Sequence, residues 1–349
     1  MSRTSVIILH AVPRADRGPL ETGFAASRAR NAEAQARAFG TLGADVEIIE
    51  TTSAGPSFGA RLRSLAARGP GGLIVLGSGS IPLATRADRE LFITAARGNA
   101  ATRALANNRY SADIVALAPD VDLGDLPDLE SDNSLPRWLE AHGTEVADLR
   151  SRWRLQVDLD SPLDVVLVDG AARESGAARD SALLSAGPSL VGAMAAVRDV
   201  AADPRSELLV FGRSSSGTLR WVEAKTASRT RALLEERGMK TAPADQRPSR
   251  STLGLLLERD GPESLGSHVT ALADAAVIDS RVLLAGHFGR DAGGWPSPED
   301  RFASDLLVPD GISDGWLRAL TQSALASAVP ILLGGHTLVG PGLRLLLRP

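Results

Sequence analysis

"LIVLGSGSIPLATRADRELF", residues 73–92, carries the reading on which the fold turns. Its first residues are almost continuously apolar, as a strand buried on both faces requires. Gly77, Ser78, Gly79 and Ser80 then form a small, polar turn ending in proline. Thr85 is placed to cap a helix that Gly98 closes. The same alternation extends on both sides. "SVIILHAV" (5–12), "DVEIIE" (45–50) and "ADIVALA" (112–118) read as strands, and "ASRARNAEAQARAFGTLG" (26–43) and "GARLRSLAARG" (59–69) as helices. Strands alternating with helices predict a parallel α/β sheet.

The totals bound what such a chain can do. Its 349 residues exceed one ordinary core and favour two domains. Apolar residues make up 44%, a globular composition, but aromatics only 4%, so the cores must be built from Ala, Leu and Val. There is no cysteine, which removes disulfides, thiolate metal sites and thiol nucleophiles and fits a reducing, cytoplasmic location. A net charge of −4 argues against a nucleic-acid partner. Lys225 and Lys240 are the only lysines. "VIILHAV" (6–12) is too short to span a bilayer, and 181–197 is broken by Gly, Pro and Ser, so a buried helix and no membrane segment are expected.

The acidic stretch from Pro119 to Asp132 reads as a loop, "LPRWLEAHG" (135–143) as a helix, and "GAARESGAARD" (170–180) as a linker. Beyond it, "ELLVFG" (207–212), "TRALLEE" (230–236), "TLGLLLE" (252–258), "AAVIDSRVLLAG" (275–286) and "VPILLGG" (329–335) are strand candidates, with helices between them. This gives a first domain over 1–175 and a second α/β domain over 176–349.

Ligands of open α/β sheets bind at the carboxyl ends of the strands. The turn Gly77, Ser78, Gly79 and Ser80 lies at such an end, where serines and backbone amides can hold an anion. "ANNRYSAD" (106–113) offers Asn107 and Asn108 to a base or sugar edge, Arg109 to a phosphate and Tyr110 for stacking. In "ELLVFGRSSSGTLRW" (207–221), Arg213, Ser214 and Ser215 precede a helix whose N-terminus can take an anion; the lysine of a P-loop is missing. His287 and His336 close two similar apolar runs, with Asp291, Glu299, Asp300 and Asp305 near the first; as neighbours at one sheet edge they could act as acid–base or metal groups. His10, His142 and His268 form no constellation.

"VDLDSPLDVVLV" (157–168) contains an acidic pair, then Ser-Pro opening a helix with Asp164 in its first turn. Together with residues 73–92, this order resembles the nucleotidyltransferases with a GT-A-type fold. The phospholactate guanylyltransferases are the more similar, and the molybdenum-cofactor nucleotidyltransferases the more distant. Those families end a strand in an Asp-x-Pro-Leu turn followed by a Thr-x-x-Asp helix start. Here Ser80-Ile81-Pro82-Leu83 and Thr85 to Asp88 stand in that place. Asp158 to Val165 stands where those families carry Asp-Ile-Asp-Thr-Pro-Glu-Asp-Leu, and "DNSLPRWLEAHG" (132–143) is similar to the preceding helix. The resemblance covers residues 4–170. It implies a GT-A-like three-layer domain that handles a nucleoside triphosphate and a small phosphorylated or acidic acceptor. Mg²⁺ would be held by Asp158 and Asp160, and phosphates by an N-terminal arginine, for which Arg14, Arg17 and Arg28 are the candidates. The departure is Ser80 in place of the metal-binding aspartate, because a hydroxyl is a weak Mg²⁺ ligand. Two alternatives follow: a degenerate nucleotide-binding or scaffold protein, or an enzyme whose chemistry sits around Arg213, His287 and His336.

Overall fold

The computed structural model describes residues 4–13, 16–52, 54–69, 71–99, 102–129, 132–174, 187–236 and 249–348. Arg14, Lys240 and most of the expected linker lie outside them. The chain forms two compact units. The first comprises residues 1–15 and 25–159, the second residues 16–24 and 160–349.

The first unit is a mixed six-stranded sheet: β1 (Thr4–Ala11), β2 (Asp45–Thr51), β3 (Gly72–Gly77), β4 (Ala104–Ala106), β5 (Ile114–Leu117) and β6 (Val146–Asp148), in the order β2-β1-β3-β5-β4-β6. Helices α1 (Pro19–Gly40), α2 (Phe58–Ala66), α3 (Arg86–Ala96) and α4 (Leu135–Ala141) flank it. Alternation along the strands builds two cores. Val6, Ile8, Ile74 and Leu76 pack with Phe39 and Phe92 of α1 and α3. Ile7, Leu73 and Val75 point the other way, onto Leu62 and Leu65 of α2 and Leu135 and Leu139 of α4. The expected α/β class holds, with helices on both faces. The expected all-parallel order does not: β5 runs antiparallel to both β3 and β4. The stretch 106–113 therefore joins two strands of a hairpin.

The second unit carries a parallel sheet of β7 (Glu207–Gly212), β8 (Arg229–Leu234), β9 (Ala275–Asp279) and β10 (Ile331–Gly334), in the order β10-β9-β7-β8. Its helices are α5 (Pro162–Glu174), α6 (Pro188–Ala202), α7 (Ser216–Lys225), α8 (Thr252–Asp260), α9 (Leu265–Thr270), α10 (Ser280–His287), α11 (Pro298–Asp305), α12 (Gly315–Ala326), α13 (His336–Val339) and α14 (Leu343–Leu346). Two strand expectations are corrected. "TLGLLLE" is α8, started by the Ser251 hydroxyl accepting from Gly254 N. "AAVIDSRVLLAG" is a strand only to Asp279, whose carboxylate caps α10. Residues Asp16–Phe24 are anchored here. Leu20 N and Glu21 N donate to the Glu299 carboxylate at 3.0 and 2.9 Å, and Phe24 meets Phe302 edge-on with ring centroids 5.1 Å apart. No helix of the described residues is long and apolar enough to cross a membrane.

Candidate functional site

The carboxyl ends of β1, β2 and β3 meet the start of antiparallel β5 at one edge of the first sheet. A pocket of about 190 Å³ opens there, lined by Ala11, Arg28, Thr51, Gly77, Asp113 and Asp132 among others. Gly77, the first residue of the Gly77–Ser80 turn, is among its lining residues.

That turn is a rigid, internally bonded structure. Gly77 N and the Ser80 hydroxyl both donate to Asp113 O, at 3.2 and 2.9 Å. Ser78 N donates to Leu9 O, and the Ser78 hydroxyl lies 3.1 Å from His10 Nδ1. The serines hence secure the turn to β1 and β5, and the Ser80 proton is committed to Asp113 O. Ile81 adopts φ 47, a left-handed conformation that a β-branched residue rarely takes.

Helix α1 supplies what holds this strain. Asn31 Nδ2 donates to Ser78 O and Ser80 O at 2.9 and 3.0 Å, and Gln35 Nε2 donates to Ile81 O at 2.9 Å. Both amides are buried. One turn earlier on the same face stands Arg28. The missing Cβ of Gly79 marks where three groups converge: the Leu159 carbonyl oxygen at 2.7 Å, Asp158 Oδ1 at 3.0 Å and Arg28 Nε at 3.1 Å from that position. Only glycine admits this approach. Asp158 arrives through an isolated antiparallel bridge to Ser80, and Leu159 N donates to Gly79 O at 3.1 Å. The two motif stretches of the sequence thus meet at this edge. Burial, then the positive field of Arg28, pushes the His10 imidazole below its ordinary value, with Glu50 acting the other way.

Other expected contacts are otherwise engaged. Asn107 is fully buried and pins the β4–β5 hairpin, donating to Asp113 Oδ2 and Leu155 O and accepting from Asp113 N. Asn108 accepts from Tyr110 N. Arg109 is paired with Glu140 at 2.6 Å and Asp148 at 3.6 Å, and donates to Val146 O. Arg150 lies over the Tyr110 ring. Thr85 and Asp88 form a capping box, so this Thr-x-x-Asp pattern starts α3. Arg17 pairs with Glu21 in the second unit.

Asp160 also belongs to the second unit, where it faces His336 at 3.5 Å. Asp164 Oδ2 accepts from Asp160 N, Ser161 N and the Ser161 hydroxyl. Burial, and after it the charges of Asp160 and Asp305, pushes this carboxyl up to about 8. Arg213 grips Asp279 with both nitrogens, at 2.6 and 3.1 Å. Burial would raise the Asp279 carboxyl, but Arg213 and His336 hold it below its usual range. Ser215 caps α7 by accepting from Thr218 N. His287 ends α10, not a strand, and stacks on Trp316 with centroids 4.5 Å apart, so the expected pairing of two strand-end histidines fails.

Sequence reasoning missed His10, Asn31 and Gln35. The one available signal was the helical spacing of Arg28, Asn31 and Gln35 on α1.

No family model matches the chain, and no curated protein does. Among solved structures, it is similar to a predicted nucleotide-diphospho-sugar transferase from Desulfovibrio desulfuricans G20. That match has 16% identity and a TM-score of 0.38, over 53% of this chain and 94% of that one. It is also similar to the protein Rv0371C of Mycobacterium tuberculosis H37Rv, in complex with manganese. There the identity is 21% and the TM-score 0.25, over 42% of this chain and 87% of that one.

Proposed function

We propose that the first unit is a GT-A-like, nucleotidyltransferase-like unit that takes a nucleoside triphosphate at the carboxyl edge of its sheet. The observation that carries this reading is the bridge between Ser80 and Asp158. It joins the "LGSGSIPL" turn to the "VDLD" stretch beside the pocket, at the end of the sheet where such folds hold ligands. The acceptor in this reading is a small phosphorylated or acidic molecule. Catalysis would consist of positioning and charge neutralisation.

The donor set does not build a resident magnesium site. Among the described residues no three His, Asp or Glu side chains are grouped to hold a metal ion. The Ser80 hydroxyl is donated to Asp113 O, and Asp160 faces His336 at 3.5 Å. Mg²⁺ therefore enters this reading only as the companion of the triphosphate. These same observations favour a second reading, in which the unit binds a nucleotide without transferring it.

The test is a thermal-shift panel of the whole chain with GTP, CTP, ATP and UTP, each in the presence of Mg²⁺. A ligand at a hundred times its Kd adds about 2.7 kcal/mol to the native state. One nucleotide is expected to raise the Tm in wild type and not in Gly79→Ala. A flat panel at millimolar concentration overturns nucleotide binding under both readings. Turnover of the bound nucleotide on adding phosphorylated or acidic acceptors separates the first reading from the second.

A further inference from the structure

We infer that the guanidinium of Arg28 is the built-in counter-charge of this edge, so that the first unit binds a nucleoside phosphate without a divalent cation. The inference rests on the nucleotide reading above and specifies how that site neutralises its ligand. Three observations carry it. The turn position that would need a carboxylate to hold a cation is Ser80, and its hydroxyl is directed at Asp113 O. Asp158 Oδ1 is accompanied at the Gly79 cradle by Arg28 Nε, both within about 3 Å of the same point. A cation is thus already supplied beside Asp158 by the chain itself. Finally, Arg28 is the cationic side chain among the residues that line the pocket, beside the carboxylates of Asp113 and Asp132.

The chemistry suits the task. Guanidinium is permanently charged, planar and able to donate two parallel hydrogen bonds to a phosphate. It is covalently tethered and needs no recruitment from solution. It is also prepositioned. Asn31 and Gln35, on the same face of α1, are bonded to the carbonyls of Ser78, Ser80 and Ile81, which sets the helix against the turn. A flexible surface arginine would have to be ordered on binding; this one stands on a helix already fixed one turn further on. A single positive group cannot neutralise a whole triphosphate. The site should therefore accept nucleoside mono- and diphosphates in EDTA as well as triphosphates with Mg²⁺.

The experiment is titration calorimetry on the whole chain with the nucleotide found in the thermal panel, as its mono-, di- and triphosphate. Each is run in excess EDTA and again with Mg²⁺. Wild type, Arg28→Gln, Arg28→Lys and Asp158→Asn are compared, and their unliganded Tm values confirm folding. For the mono- and diphosphate the expected result is a Kd that changes less than about threefold between EDTA and Mg²⁺. Arg28→Gln should weaken it by ten- to a hundredfold, a charged hydrogen bond's contribution, with partial recovery in Arg28→Lys, whereas Asp158→Asn, which removes the carboxylate beside the guanidinium, should tighten it. Binding that appears only with Mg²⁺ and disappears in Asp158→Asn overturns the inference and leaves the nucleotide reading standing. Binding unaffected in Arg28→Gln also overturns it. Absence of binding under every condition removes both.

Discussion

Gly79 and Asp164 each hold a position that one changed atom would disturb. A methyl group at Gly79 would sit 2.7 Å from the Leu159 carbonyl oxygen, a backbone atom with little room to move. Gly79→Ala is expected to cost about 1–3 kcal/mol, as overpacking does, read as a lower urea midpoint with an unchanged slope. Asp164 is the opposite case, a carboxyl whose environment disfavours charge. Its folded value of about 8 lies above the ordinary 3.8, so the native state retains a proton that the unfolded chain has released. Stability from this group is fully present below about pH 3.8 and is lost as pH rises through about 8, by at most ~1.4 kcal/mol per pH unit. Asp164→Asn keeps an oxygen to accept from Ser161 N and cannot ionise. Its Tm should fall less steeply than that of wild type between pH 5 and 8, and parallel profiles would refute the assignment.

At the scale of elements, α1 and the turn after β3 stabilise one another. The Asn31 amide serves two carbonyls and Gln35 serves that of Ile81, while Arg89 Nε donates to Gln35 Oε1 at 3.0 Å. Removing the Asn31 amide takes the donor from two buried carbonyls, at about 1–3 kcal/mol each, whereas Ile81 O, without Gln35, still accepts from Ala84 N at 3.0 Å, so that loss should be the smaller. Asn31→Ala and Gln35→Ala should each lower the denaturation midpoint. Gln35→Ala should also speed hydrogen exchange around Ile81, whose carbonyl Gln35 shares with Ala84 N and whose φ is 47. This arrangement was hardly legible in the sequence. Polar residues at helical spacing ordinarily mark a solvated face, and nothing local says that a turn 46 residues later presents its carbonyls to them. β4 went unread because Ala104–Ala106 is too short to show a period, and with it went the hairpin that reverses β5. "TLGLLLE" illustrates the ambiguity of short apolar runs, which helix and strand share; Ser251 before it was the better guide. By contrast β3, its turn and the Thr85 cap were fully legible, because burial on both faces, glycine and a capping box each leave a local signature.

At the scale of the whole molecule, sequence order and structural membership part company. Residues Asp16–Phe24 belong to the unit otherwise made of residues 160–349. Phe24 is 7% exposed and packs on Phe302 of α11, which in turn packs on β10. Truncating a buried phenylalanine costs about 3–5 kcal/mol. Phe24→Ala should therefore reduce hydrogen-exchange protection in α11 and β10 while leaving β1 and β3 protected. Equal loss in β1, only thirteen residues or so away along the chain, would contradict the division into units. No pattern in the sequence announces this crossing, since Pro19 and Glu21 simply look like the start of a helix.

That crossing has a consequence for biosynthesis. The first unit has all its strands once residue 159 has left the ribosome. The segment 16–24, made near the beginning, must wait for Glu299 and Phe302. At about 5–20 residues per second that wait is roughly fifteen to fifty-five seconds. Throughout it a nascent chain carries Phe24 before Phe302 exists to cover its ring, so a chaperone that samples exposed aromatics would meet this segment well before that contact can form.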